Sequence, residues 1–529
     1  MLTLTLVLVL LFFVIYKRKQ QLKIFERLCI PGPKPNFIFG NSFDIGREGL
    51  NGLFPKWTKK YGSTVGFYFG GRPQLLITDL ELIRCILVKD FRKFSDRSQC
   101  IPGGVHPVPV LQNMIMWSDY NIWRYLRASM SALFTSGKLN AMQPLMMASI
   151  DNLVSELDDK AKSGEEFNLK SLIYELTFSS GSKCVFGLDL SLKELTDESK
   201  NFLEVSAPRL DRSILAKTLM LFPSLTFIAY PLRVLWEQFR FYMLWSPEGF
   251  CYNVTKKIVQ CRKDARTQHS DFLQLLMNAK KIQASGDMDL EMSPEDVKWK
   301  RLQSLKSFTN IFSKQPSPSE FMSDDEIVTN AMVLLLASYE TTSVTLQFCL
   351  HNLVNHQSVQ EELRTQLQKS VVNGSKTVSW STLSDVPLLL RIIKETLRMF
   401  SPVSPFVTRV ANENYEYQGI VIPKGMPIFV GVSSIHNDPK FWPEPDEFRP
   451  ERFENDFDKL SFLPFGAGPR NCIGIRFAYM ELQLALATLI LKYRFEPGPS
   501  TEKNIETKES FATLVPKNGV FCRVTRLDE

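Results

Sequence analysis

The decapeptide Phe465–Gly474, FGAGPRNCIG, places one thiol, Cys472, in a glycine- and proline-containing loop. Directly after it comes IRFAYMELQLALATLILKY, whose apolar residues recur at helical spacing. A thiol just ahead of a helix N-terminus meets backbone N–H groups and the positive end of the helix dipole, so the thiolate is favoured. That form binds a metal or attacks an electrophile. The plainer alternative is a buried cysteine that packs as a small hydrophobe. A second group lies in ASYETT, Ala337–Thr342, where Glu340 and Thr341 set an acid beside an alcohol in an apolar segment. Such a pair can relay protons, or Thr341 can simply bond back to the carbonyl of Ala337 and bend the helix. In KETLRMF, Glu395 and Arg398 stand at i, i+3 on one helix face; alone, such a pair is a surface bridge worth about 0–1 kcal/mol. In WRYLR, Trp123 and Arg127 are one turn apart.

These groups need a large framework. The chain has 529 residues, enough for one large enzyme fold or several domains. With 44% hydrophobic and 22% charged residues it reads as globular. A net charge of +7 is mild at this length, and no Lys/Arg block interleaved with aromatics appears in the body, so nucleic acid is set aside. Nine cysteines without regular spacing fit a reducing compartment rather than a disulfide scaffold. The five histidines (His106, His269, His351, His356, His436) show no metal-ligand spacing. No glycine-rich nucleotide fingerprint follows a strand, so no flavin or nicotinamide site is built in.

The pattern predicts a mainly α fold with small β-sheets (α+β). SDDEIVTNAMVLLLASYETTSVTLQFCLHNLVNH opens with a capping box, Ser323 and Glu326, and is apolar nearly all round, which predicts a long helix through the centre of the protein. VPLLLRIIKETLRMF predicts a second helix. GFYFGGRPQLLITDL and NYEYQGIVIPKGMPIFVGV predict short strands joined by glycine turns. Residues 279–320 read as a long solvent loop, and the apolar stretch 203–250 as a lid touching a membrane rather than ordinary core.

Three regions are expected in the chain. Residues 1–16, MLTLTLVLVLLFFVIY, carry no charge and span about 24 Å as a helix, against a bilayer core of about 30 Å. They read as an uncleaved transmembrane signal anchor, with Lys17 and Arg18 snorkelling to the interface and the following body cytosolic. In that topology the sequons at Asn253 and Asn373 are inert. Residues 17–41 form a basic and proline-rich hinge, and 42–529 the catalytic domain.

The spacing Phe465-x-x-Gly468-x-Arg470-x-Cys472-x-Gly474 resembles the haem-binding signature of the cytochrome P-450 superfamily, the haem-thiolate monooxygenases. Other matches extend over nearly the whole chain. Glu395 and Arg398 match the Glu-x-x-Arg motif, completed by Arg452 of PERF, a buried structural triad in the family. Trp123, Arg127 and Arg409 match residues that meet the haem propionates, and ASYETT matches the acid–alcohol motif, with Ser338 where glycine is usual. The chain looks most like microsomal members of the drug- and steroid-oxidising branch, including thromboxane-synthase-like relatives.

The resemblance implies haem b (iron protoporphyrin IX) with Cys472 as its iron ligand. It implies Phe465 packed on the sulfur side, and Arg470, Trp123, Arg127 and Arg409 around the propionates. Thr341 and Glu340 would be catalytic, with Ser338 narrowing the oxygen groove. The expected activity is insertion of one atom of O2 into a lipophilic molecule (steroid, fatty acid or xenobiotic). Electrons would come from NADPH-cytochrome P-450 reductase, with cytochrome b5 as a further donor, at the endoplasmic reticulum membrane. Expected pocket walls are residues 100–118, the helix around Ala337, Val403–Val407 and Phe511–Leu514. Two alternatives stay open: a reductase-independent isomerase or dehydratase of lipid peroxides, and a non-catalytic haem sensor or carrier.

Overall fold

A computed structural model describes residues 2–97, 106–192, 221, 226–265, 269–279, 322–371, 378–510 and 513–527. Most of 279–320, the first part of 203–250, Asn373 and Phe511 lie outside the described residues. The elements that position the site run in the order α1 (Leu2–Leu22), β1 (Thr64–Phe69), β2 (Arg72–Ile77), α2 (Tyr120–Ser131), β3 (Phe167–Asn168), α3 (Lys170–Phe186), α4 (Thr226–Tyr242), α5 (Asp324–Asn355) and α6 (Pro387–Met399). The order continues with β4 (Thr408–Val410), β5 (Tyr415–Tyr417), β6 (Ile420–Ile422), β7 (Pro427–Val430), α7 (Ile475–Lys492), β8 (Tyr493–Glu496), β9 (Thr507–Ser510), β10 (Thr513–Pro516) and β11 (Phe521–Arg526).

The axis of the fold is α5, 32 residues long. Its start is set by the capping box: the Ser323 hydroxyl accepts from the Glu326 amide while the Glu326 carboxylate accepts from the Ser323 amide. No glycine or proline interrupts it, and most of its residues are buried on all sides, as expected of a helix that crosses a core. Helices α3, α6 and α7 pack directly against it. Helix α6 opens with Pro387, whose missing N–H costs nothing in the first turn.

The sheets are small and peripheral. β1, β2, β7 and β4 form one sheet in that order; β2 and β7 are parallel, the other pairs antiparallel. Beneath it, Phe54, Trp57, Phe67 and Phe429 form an aromatic cluster with ring centroids 5.3–6.3 Å apart. β3, β11 and β8 form a second sheet, and β9–β10 and β5–β6 are isolated hairpins.

At the N-terminus the structure corrects one expectation. Helix α1 continues through Tyr16 to Leu22, and Arg18 does not snorkel. It is 1% exposed, and its guanidinium donates to the carbonyls of Phe37 (2.7 Å), Ile38 (2.7 Å) and Gly70 (3.0 Å). Tyr68 of β1 adds a hydrogen bond to the Leu22 carbonyl. The proline segment contains no helix, as its composition requires, but it lies against the sheet: a Cβ on Gly32 would sit 1.9 Å from the Gly66 carbonyl oxygen.

Val9, Phe12, Phe13, Ile15 and Tyr16 of α1 are exposed, as are Leu232, Leu235, Trp236, Phe239 and Tyr242 of α4. Arg18 of α1 reaches the Gly70 carbonyl at the β1–β2 turn, and burial, with Arg233 of α4 adding to it, lowers the pKa of Arg72 at the start of β2. Among the described residues, α5 is long and apolar enough to cross a membrane, but most of it is buried in the core.

Candidate functional site

The loop before α7 is shaped by glycine. Gly466 and Gly468 both take φ of +70°, and at Gly468 a Cβ would lie 1.8 Å from the Leu87 carbonyl oxygen. Only glycine fits there. The turn is closed by the Cys472 amide donating to the Phe465 carbonyl at 2.9 Å and the Asn471 amide to the Gly468 carbonyl at 3.0 Å. Phe465 packs on Tyr479 of α7, with ring centroids 5.3 Å apart.

Cys472 is exposed although protein crowds around its thiol, so it sits in a recess. Its pKa is raised, not lowered as the helix-terminus argument predicts. Burial is the largest cause and outweighs the Gly474 amide and the Arg127 and Arg97 guanidinium groups, which favour the thiolate. The dipole of one helix does not offset the loss of water.

Around this recess four arginines converge from four parts of the chain. Arg127, on α2, donates to the Asn471 carbonyl (2.9 Å) and to Asn471 Oδ1 (2.6 Å). Arg470 donates to the Ser118 carbonyl at 2.8 Å and lies 4.7 Å over the Trp123 ring. Arg409, 2% exposed on β4, donates to the Thr408 carbonyl at 2.7 Å. Arg97 donates to the Arg470 carbonyl at 2.9 Å. Burial lowers all four, and neighbouring arginines add to it at three: Arg127 falls to about 10, Arg470 to about 9, and Arg409 well below its usual range, while burial alone lowers Arg97. Each keeps at least one buried nitrogen without a partner: Nε of Arg97, Arg127 and Arg409, and Nε and Nη1 of Arg470.

Sequence reasoning missed Arg97. It follows a short helical turn in RKFSDRSQC and carries no local signature, because its partner at Arg470 is 373 residues away. The Trp123 ring lies under the Arg470 guanidinium and meets Phe91 in a tilted contact at 5.5 Å.

On α5, Ala337 is exposed between the half-buried Leu336 and Ser338, although most of the helix is buried. The Thr341 hydroxyl donates back to the Ala337 carbonyl at 2.6 Å, the bond expected of an intrahelical threonine. Glu340 does not bond to Thr341; its Oε2 accepts from the Thr513 hydroxyl of β10 at 3.1 Å. Burial raises the Glu340 pKa, opposed by Thr513 and by Lys170. Ser338 is turned toward α3, donating to the Leu335 carbonyl at 3.0 Å, and a Cβ on Gly181 would come within 2.9 Å of its Oγ. The serine that departs from the glycine pattern is thus accommodated by a glycine on the facing helix.

Away from the recess, Glu395 and Arg398 are both fully buried. Arg398 Nε and Nη2 each donate to the Glu395 carboxylate at 2.8 Å, Arg452 Nε donates to Oε1 at 3.1 Å, and the Arg449 amide adds a bond at 3.1 Å. The remaining Arg398 donors reach the carbonyls of His436 (2.9 Å) and Pro445 (2.8 Å).

A soft thiol donor facing a ring of buried, incompletely satisfied cations fits a dianionic iron macrocycle. The thiol can hold the iron, and the orphaned guanidinium nitrogens can bond two propionates. The family model described as Cytochrome P450 matches residues 30–303 and 300–523. Cytochrome P450 3A14 of Cavia porcellus is 30% identical over 514 residues, 96% of this chain and 93% of that protein. Cytochrome P450 3A28 of Bos taurus is 31% identical over 491 residues (90% and 87%), and Cytochrome P450 3A5 of Homo sapiens 30% over 520 residues (96% and 93%).

Proposed function

We propose that this chain, which belongs to the cytochrome P450 family and so is a monooxygenase holding haem b through a cysteine thiolate, uses Cys472 as that cysteine. The carrying observation is the convergence on one accessible thiol, Cys472, of four arginines that each keep a buried nitrogen without a partner. Arg97, Arg127, Arg409 and Arg470 would hold the propionates, Arg470 braced on Trp123. When bound, haem supplies the activation of O2 and its transfer to substrate. Phe465 shields the sulfur side, and the Gly474 amide donates to the sulfur. Glu340 and Thr341 supply the protons.

Electrons come from NADPH-cytochrome P-450 reductase, with cytochrome b5 as a further donor, because no nucleotide fingerprint is present in the sequence. The substrate is a lipophilic small molecule: a steroid, fatty acid or xenobiotic. The exposed apolar faces of α1 and α4 support attachment to the endoplasmic reticulum membrane through α1, with α4 resting on the lipid and the body cytosolic.

The test is the reduced protein under carbon monoxide, alone and in reconstitution with reductase. The wild type is expected to give the red-shifted Soret band of thiolate ligation and NADPH-dependent oxygen uptake with a lipophilic substrate. Cys472→Ala is expected to lose the band entirely. A normal band in Cys472→Ala moves the ligand elsewhere, and a normal wild-type band without reductase-dependent oxygen uptake favours the isomerase or carrier alternatives.

A further inference from the structure

The acid–alcohol pair on α5 is not a closed unit. Thr341 spends its proton on Ala337, and the Glu340 carboxylate is turned to a different element, the strand β10. The donor there is well fixed. Thr513 is 4% exposed and pairs with Ser510 across the hairpin. Its neighbour Leu514 donates its amide to the Pro402 carbonyl at 2.8 Å, and Val515 packs against Val344 and Phe348 of α5. The other groups facing Glu340 come from α3: Lys170, whose ammonium lies 5.9 Å over the Tyr174 ring, and Tyr174 itself, whose charged form Glu340 disfavours.

We propose that Thr513 is a positioning residue for proton supply: its hydroxyl, bonded to Glu340 Oε2, fixes the carboxyl group in the orientation from which it serves Thr341. This rests on the reading of Glu340 and Thr341 as the proton route. The physical logic is a contest at one carboxylate. Burial alone favours the protonated acid, which can give a proton but is slow to be left free to take up the next. A hydroxyl donor and a distant ammonium favour the carboxylate, so the group can load from the Lys170 side and unload toward Thr341. No bond other than O–H is made or broken: the proton arrives from solvent, resides on Glu340 and leaves toward the alcohol. Thr513 also sets direction, because without it the carboxylate has no described hydrogen-bond partner to fix its rotamer.

The experiment uses haem-loaded full-length protein with reductase and a turned-over lipophilic substrate, in the variants Thr513→Val, Thr513→Ser and Glu340→Gln. Two quantities are read: the protonation of Glu340 by infrared carboxyl difference spectroscopy, assigned by its loss in Glu340→Gln, and product formed per NADPH. Thr513→Val keeps shape and strand propensity while removing the donor. It is expected to raise the Glu340 pKa by about one unit, tenfold in proton affinity, and to lower product per NADPH several-fold with haem content unchanged. Thr513→Ser is expected to restore both. If Glu340→Gln uncouples the enzyme but Thr513→Val moves neither the carboxyl titration nor the coupling, the inference is overturned alone. If Glu340→Gln leaves coupling intact, the proton route itself is overturned, and Thr513 with it.

Discussion

Two regions of this molecule bury arginines, and they do so in opposite ways. At the Glu395 site every cation has its answer within the chain: Arg398 spends its donors on one carboxylate and three carbonyls, and Arg452 closes the same carboxylate. Around Cys472 four guanidinium groups repel one another, and each leaves a buried nitrogen unbonded. Buried charge without compensation is costly, so it persists where a ligand completes it. The first arrangement holds the fold together. The second is built to receive an anion, and the repulsion it carries on its own is part of its affinity.

That contrast can be broken from either side. Removing Glu395 should do the most damage: Glu395→Ala strands two buried arginines at a cost of about 3–5 kcal/mol, comparable to a domain's whole stability. Little soluble protein and no haem loading are expected in expression trials, and a stable, haem-replete variant would dissolve the distinction. A smaller effect comes from His436, whose Nδ1 faces the Arg398 carbonyl at 3.1 Å while Nε2 accepts from the Leu463 amide at 2.8 Å. Burial, and then Arg398, lower its pKa to about 3, so it folds neutral. The unfolded chain takes up a proton below its ordinary pKa of about 6.5, so stability present above that pH is lost as pH falls, by about 2 kcal/mol near pH 5. Thermal melts across this range should show a shallower acid slope in His436→Gln than in wild type. The smallest effect should fall on the Cys472 side. Arg470→Met should leave the apoprotein as stable as wild type or more so, because a repulsive member is gone. Haem transfer to an acceptor protein should nevertheless speed up about tenfold or more, since hydrogen bonds to charged groups contribute about 1.5–3 kcal/mol each. An apoprotein destabilised like Glu395→Ala would make the two regions alike.

The reach of the sequence follows the range of the interactions. The capping box at Ser323, the glycine turns of the hairpins and the i, i+3 pair at Glu395 are written within a few residues, and all are legible in the residue order alone. So is the decapeptide, because the loop around Cys472 folds on itself. What is not legible is held across the chain. Arg97 meets Arg470 over 373 residues, and Glu340 meets Thr513 over 173. Ser338 looks like a defect in its own helix until Gly181 is placed opposite. The raised pKa of the free thiol has a related cause: the dipole is local and readable, but the depth of burial that outweighs it is a property of the whole fold.

The Arg18 clamp changes what the N-terminal helix can be. Three carbonyls on two separate segments grip one guanidinium, so α1 leaves the body at a set angle rather than on a swivel. With α1 in lipid, as proposed, the clamp turns the bilayer normal into a coordinate axis of the enzyme. The body cannot tumble; it is confined to a narrow cone and spins about one axis. Every partner in the same membrane then meets it at one height and nearly one tilt, so a search over six degrees of freedom collapses to two of translation and one of rotation.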